Sequence, residues 1–162
     1  MDIIQEEHGV YNYKIIIFMQ KIICSGALFY SLETKRFLFL HRTQGKAKNL
    51  WGLVGGTNEG TETPWEGLKR EIQEEISFIP NIKKTIPLET FISNDEHFHF
   101  HTYLCIVQEE FMPKLNGEHD GYAWTSFDKW PKPLHHGLQN TLRVKRNRTK
   151  LLDLFKLIDI IL

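Results

Sequence analysis

The sequence predicts an α/β fold, with a mixed β-sheet sandwiched between helices. Two observations carry this. Strand-length runs of β-branched and aromatic residues stand on both sides of one amphipathic helix that starts near residue 63, and two helical segments close the chain. One domain is expected over residues 1–162, with 1–18 as an N-terminal arm or extra strand and 134–162 as C-terminal helices.

In chain order, residues 1–12 carry few packing signals and read as a loose arm. Ile15 to Met19 and Ile22 to Tyr30 are β-branched and aromatic runs that read as strands. Arg36 to His41 is a third, joined to its predecessor by the turn Ser31–Lys35. Lys46 to Asn49 is a polar loop, and Trp51 to Val54 is a short strand entering the Gly55-Gly56 pair. Pro87 to Phe91 and His97 to Val107 are the next strands, linked by the polar Ser93–Glu96 turn, and Gly121 to Phe127 is the last. Helices are expected near Leu134–Val144 and Thr149–Leu162.

The central helix is the most explicit. Thr63-Pro64-Trp65-Glu66 offers a threonine N-cap, proline at the first helical position and glutamate closing a capping box. Trp65, Leu68, Ile72 and Ile76 lie three or four residues apart and form a buried face. Glu71, Glu74 and Glu75 form an adjacent acidic stripe. Like charges four residues apart disfavour a helix by a few tenths of a kcal/mol, so a counter-charge is implied. Clustered carboxylates suit Mg²⁺, which takes oxygen ligands, and Arg70 can orient a carboxylate through a bidentate pair. The competing reading is a solvated acidic face.

Composition narrows the partners. Twenty basic residues balance twenty acidic ones, so no global field points to nucleic acid or a membrane surface. Cys24 and Cys105 are far apart in apolar runs, which fits two buried thiols rather than a disulfide framework. The start MDIIQEEH lacks the positive region of a signal peptide, and Lys14, Gln20 and Lys21 interrupt the apolar stretch Tyr13–Tyr30 too soon for a membrane span. A cytoplasmic location is the expectation.

The stretch Gly56-x5-Glu62-x7-Arg70-Glu71-Ile72-x-Glu74-Glu75-x-Ser77-Phe78 resembles the Nudix box, with Ser77 standing where that family has glycine. Trp51-Gly-Leu-Val-Gly-Gly56 and Gly121-Tyr-Ala-Trp124 are also similar to segments of that family, and the resemblance covers roughly residues 20–130. It implies a Nudix α/β/α sandwich and a MutT-like hydrolase. Such an enzyme uses Mg²⁺, with Mn²⁺ as a substitute, to cleave the diphosphate of a nucleoside diphosphate linked to another group. It also implies roles: Glu74 and Glu75 as metal ligands, Glu71 as ligand or base, Arg70 as the residue that orients them, and the Gly55 carbonyl as a further ligand. Glu62 has a supporting or substrate-side role. Glu118, on the loop Lys114–Asp120, looks like a further acidic ligand or general base, with His119 and Asp120 beside it as competitors. The expected partner is a small nucleotide. Nucleotide-sugar or ADP-ribose hydrolysis and a non-catalytic nucleotide-binding domain are the alternatives.

The remaining features admit two readings each. Trp51 could stack on a nucleobase or sit in the core. His97, His99 and His101 alternate on one strand face, which suits a cleft wall better than a zinc site lacking a fourth ligand, and Phe98 and Phe100 opposite read as core. The basic run Arg143–Lys150 reads as a solvated helix face rather than an RNA contact, and the apolar tail either closes the core or supports a homodimer.

Overall fold

The structure, a computed structural model, describes residues 21–161; the arm and the strand expected over 15–19 lie outside the described residues, as does Leu162. The described elements are β1 (Ile22–Ser31), β2 (Arg36–Arg42), β3 (Trp51–Gly52), β4 (Val54–Thr57), α1 (Pro64–Ile76), β5 (Ile82–Ile92), β6 (Phe98–Val107), β7 (His119–Ser126), α2 (His136–Arg143) and α3 (Lys145–Ile161). The strands form one mixed sheet.

β1 is its axis. One edge runs parallel to β6 from Ile22↔Phe98 to Ser31↔Val107. The other edge is shared: β2 meets it only at Tyr30↔Phe37, and β4 pairs antiparallel with Cys24–Ala27. β2 pairs along its length with β7 and near its end with β3. The divergence of β2 from β1 opens the wedge into which the Gly55-Gly56 turn is inserted.

Strand alternation divides the core into two layers. Ala27, Phe29, Leu38, Leu40, Cys105 and Val107 face Leu68, Ile72 and Ile76 of α1. Leu28, Tyr30, Phe37, Phe39, Leu104 and Ile106 face Leu138, Leu142, Leu151 and Ile158 of α2 and α3. The α/β/α sandwich is therefore as expected. Leu68, Ile72 and Ile76 are fully buried. Each stabilises by about 1.5–3 kcal/mol, which outweighs the few tenths lost to like charges on the same helix.

Several boundaries differ from expectation. β5 starts at Ile82 rather than Pro87, because Pro87 sits on an edge strand beside a register shift, where a missing N–H is tolerated. β7 starts at His119, which draws His119 and Asp120 into a strand. The basic run lies within α2 and α3, and its Arg148 is held bidentately by Asp128 at 2.6 and 2.7 Å. Phe98 and Phe100 are only half-buried and belong to neither core layer, because β6 runs past the end of the helical cover. The tail closes the core through Leu151 and Ile158, while Leu157 and Ile160 remain exposed. Among the described residues no helix is long and apolar enough to cross a membrane.

Candidate functional site

The site grows from α1 and the turn before it. The capping box forms as expected: Glu66 N–H donates to Thr63 Oγ1 at 3.3 Å, and Thr63 N–H donates to Glu66 Oε2 at 2.8 Å. The helix ends at Ser77 in the left-handed region, φ 68° and ψ 5°. Glycine adopts that conformation without strain; here Ser77 holds it while its Oγ donates to the Lys114 carbonyl at 2.9 Å. Lys114 and Asn116 N–H groups donate to the Ile76 and Glu75 carbonyls at 3.2 and 3.3 Å. The loop that delivers Glu118 and His119 is thus hung from the last turn of α1.

Gly55 is required by backbone space, and Gly56 leaves room for the Glu71 carboxylate where it stands. Gly55 has φ 147°, and a Cβ there would stand 2.0 Å from the Ser25 carbonyl oxygen. A Cβ on Gly56 would stand 2.6 Å from the Glu71 carboxyl carbon. Backbone and carboxylate can approach this closely only because no side chain intervenes.

Arg70 gathers the acidic groups. Its Nε and Nη2 donate to Glu62 at 2.9 and 3.1 Å, its Nη1 to Glu71 at 3.0 Å and Glu74 at 3.3 Å, and its Nη2 to the Thr57 carbonyl at 2.9 Å. Arg70 therefore supplies part of the counter-charge that the acidic stripe implied. Hydrogen bonds from Arg70 hold the Glu62 carboxyl below its ordinary range. Burial pushes Glu71 up, opposed by Arg70.

Glu75 differs from its neighbours on the stripe. It is buried rather than solvated, and its Oε2 accepts the Gly55 N–H at 2.8 Å. Burial pushes its carboxyl up to about 8, opposed by that N–H and by Arg42. Its Oε1 lies 3.7 Å from Nε2 of His119, whose side chain is wholly buried. Burial and Arg42 push His119 down to about 4. Glu118 is half-exposed and accepts from Arg42 Nη2 at 3.2 Å. Asp120 is turned away onto His41 Nδ1 at 2.6 Å.

The fold thus brings Gly55, Glu62, Arg70, Glu71, Glu74 and Glu75 together, with Glu118 on the strapped loop. Trp51 stands apart from this cluster. It packs with the core layer on the opposite sheet face, its ring 5.0 Å from His41, and its backbone is bonded to Pro133 and His135. On that same face Phe100 and Leu53 lie over Gly26, where a Cβ would meet them at 3.0 and 3.1 Å. Sequence reading missed Arg42 and Asn116, since nothing local marks a lone strand-end arginine or a loop asparagine.

The carboxylates and a backbone carbonyl at a glycine turn are oxygen donors of the kind a hard cation takes, and beside them His119 Nε2 is a buried nitrogen without a partner among the described residues. Among the described residues, no three His, Cys, Asp or Glu side chains are gathered closely enough to enclose an ion. Arg70 holds two of the carboxylates instead.

Comparison with known proteins places the chain's family and fold. The NUDIX domain family model matches residues 24–144. Dihydroneopterin triphosphate diphosphatase of Haemophilus influenzae is 31% identical over 115 residues, 62% of this chain and 71% of that protein. The MutT NUDIX hydrolase structure from Burkholderia pseudomallei superposes with TM-score 0.58 at 23% identity, over 76% of this chain and 96% of that one. The NUDIX domain of Shewanella oneidensis NrtR, complexed with ADP ribose, superposes with TM-score 0.64 at 17% identity, over 90% and 98%. These two likenesses are of fold.

Proposed function

Because the chain belongs to the NUDIX domain family and is a pyrophosphohydrolase of phosphoanhydride bonds, we propose that it hydrolyses a nucleoside triphosphate or a closely related heterocyclic triphosphate with Mg²⁺. The observation that carries this reading is the single guanidinium fork of Arg70, anchored on Glu62 and extended to Glu71 and Glu74. An inert acidic face has no use for such an anchor. The similarity to a dihydroneopterin triphosphate diphosphatase supports a triphosphate over ADP-ribose or a nucleotide sugar.

The Gly55 carbonyl, Glu71, Glu74 and Glu75 would hold the ion, with Mn²⁺ as a substitute. When bound, it neutralises phosphoryl oxygens and activates water. Arg70 keeps the carboxylates oriented. Glu118, facing the helix from the strapped loop, takes the proton of the attacking water. Glu71 is the second reading for the base, favoured because burial raises its basicity. Phe100 and Leu53, half-buried over Gly26, which pairs with Gly55 of the site, would offer a platform for a heterocycle reaching round the sheet from the carboxylates.

The test is a panel of nucleoside triphosphates, dihydroneopterin triphosphate, ADP-ribose and nucleotide sugars, each with Mg²⁺ and Mn²⁺. Release of pyrophosphate with a monophosphate supports the reading. Activity confined to ADP-ribose or nucleotide sugars, giving two monophosphates, overturns the triphosphate assignment.

A further inference from the structure

Resting on the reading of α1 as a cation-binding helix, we propose that His119 is a nitrogen ligand of the bound ion. The site is then a mixed nitrogen and oxygen centre rather than an all-oxygen one.

The tautomer of His119 follows from its neighbours. Asn116 Oδ1 receives the Glu118 N–H at 3.1 Å, which identifies that atom as the carbonyl oxygen. His119 Nδ1 lies 3.2 Å from the same oxygen, so Nδ1 carries the hydrogen and donates. Nε2 is left with a lone pair, buried and, among the described residues, without a partner. It looks across 3.7 Å at Glu75 Oε1.

A metal ligand carboxylate is ionised, and with Glu75 ionised the two atoms are facing acceptors that need something positive between them. A shared proton is excluded by distance, since hydrogen bonds of this type close to about 2.7–3.2 Å. A metal with ligand bonds of ~2.1 Å separates an adjacent nitrogen and oxygen by roughly 3.0–3.6 Å, close to the spacing observed. Ligating histidines likewise donate their other ring N–H to an oxygen acceptor, which fixes the tautomer and the ring orientation. Arg42, the nearby cation, donates to Glu118 through Nη2, and among the described residues its Nε is buried without a partner, so it adds positive charge near Glu75 but no hydrogen bond to either facing atom. Imidazole favours transition ions, so the centre discriminates against Mg²⁺ more than its carboxylates alone would.

The experiment is Mn²⁺ binding followed by electron paramagnetic resonance, with electron spin-echo modulation to detect coupled ¹⁴N. The wild-type protein should bind Mn²⁺ and show imidazole nitrogen modulation, replaced by a ¹⁵N pattern when only histidine is ¹⁵N-labelled. In His119→Gln the modulation should vanish, and Mn²⁺ affinity should fall about 10–100-fold, with a smaller loss for Mg²⁺. Mn²⁺ binding that depends on Glu75 yet shows no nitrogen modulation overturns the proposal and leaves the cation-binding reading standing. Mn²⁺ binding indifferent to Glu75→Gln overturns both. A wild-type spectrum without nitrogen modulation overturns the proposal even if the variant does not fold.

Discussion

The Arg70 guanidinium grips the Glu62 carboxylate with two nitrogens, at 2.9 and 3.1 Å, across eight residues of sequence. This pair fixes where Arg70 can point. Its remaining nitrogen then determines where the Glu71 and Glu74 carboxylates stand. Lysine keeps the charge but has no planar fork. Arg70→Lys should therefore lower kcat about 10–100-fold, the scale for losing a group that orients a metal ligand. KM should change little, and steady-state kinetics at saturating Mg²⁺ checks this.

Glu118→Gln should lower kcat while leaving metal bound, since the helix carboxylates are untouched. It should also alter the acidic limb of the pH–rate profile. Parent-like turnover and profile would transfer the role of base to Glu71.

Trp51 and Phe100 should separate in their effects. Trp51 packs with a core layer, so Trp51→Ala should lose about 2 kcal/mol of stability, below the range for a fully buried tryptophan, with KM near the parent value. Phe100 lies outside both layers, so Phe100→Ala should raise KM roughly 5- to 150-fold, as stacking of about 1–3 kcal/mol requires, with a smaller change in melting temperature.

Glu75 makes metal binding depend on pH. Its carboxyl is raised to about 8 from an ordinary 4.5. The folded protein therefore holds this proton while the unfolded chain has lost it, and stability without metal falls as pH rises from 4.5 to 8. A cation needs the ionised form, so binding below that value releases a proton, and affinity should rise by up to about tenfold per pH unit. The Mg²⁺-induced gain in melting temperature should thus be larger at the upper end of that window than in the middle. Glu75→Gln should abolish the gain and flatten the metal-free pH dependence.

The helix was legible because its signals are local: a capping box, a proline at its first position and an apolar stripe. Ser77 was legible as a helix end, though not as a serine held at φ 68° by Lys114. The burial of Glu75 was not legible. Periodicity places a carboxylate on the acidic stripe, whereas β4 and the strapped loop cover it through contacts 20 and 41 residues distant in sequence. His119 shared that limit: only the closed fold sets its ring against Glu75. Pro87 concealed the first half of β5, because a proline is acceptable on an edge that sequence alone does not reveal.

The most direct test of the account is turnover of Glu74→Gln on the best triphosphate substrate at saturating Mg²⁺, with folding verified by circular dichroism. Glu74 is more than half exposed, and among the described residues its only side-chain hydrogen bond is to Arg70, so the fold should be untouched. The account predicts a loss of about 10²–10⁴ in kcat, the scale for removing a positioned catalytic group. Turnover equal to the parent's would contradict the assignment of the α1 carboxylates as the metal-binding catalytic site.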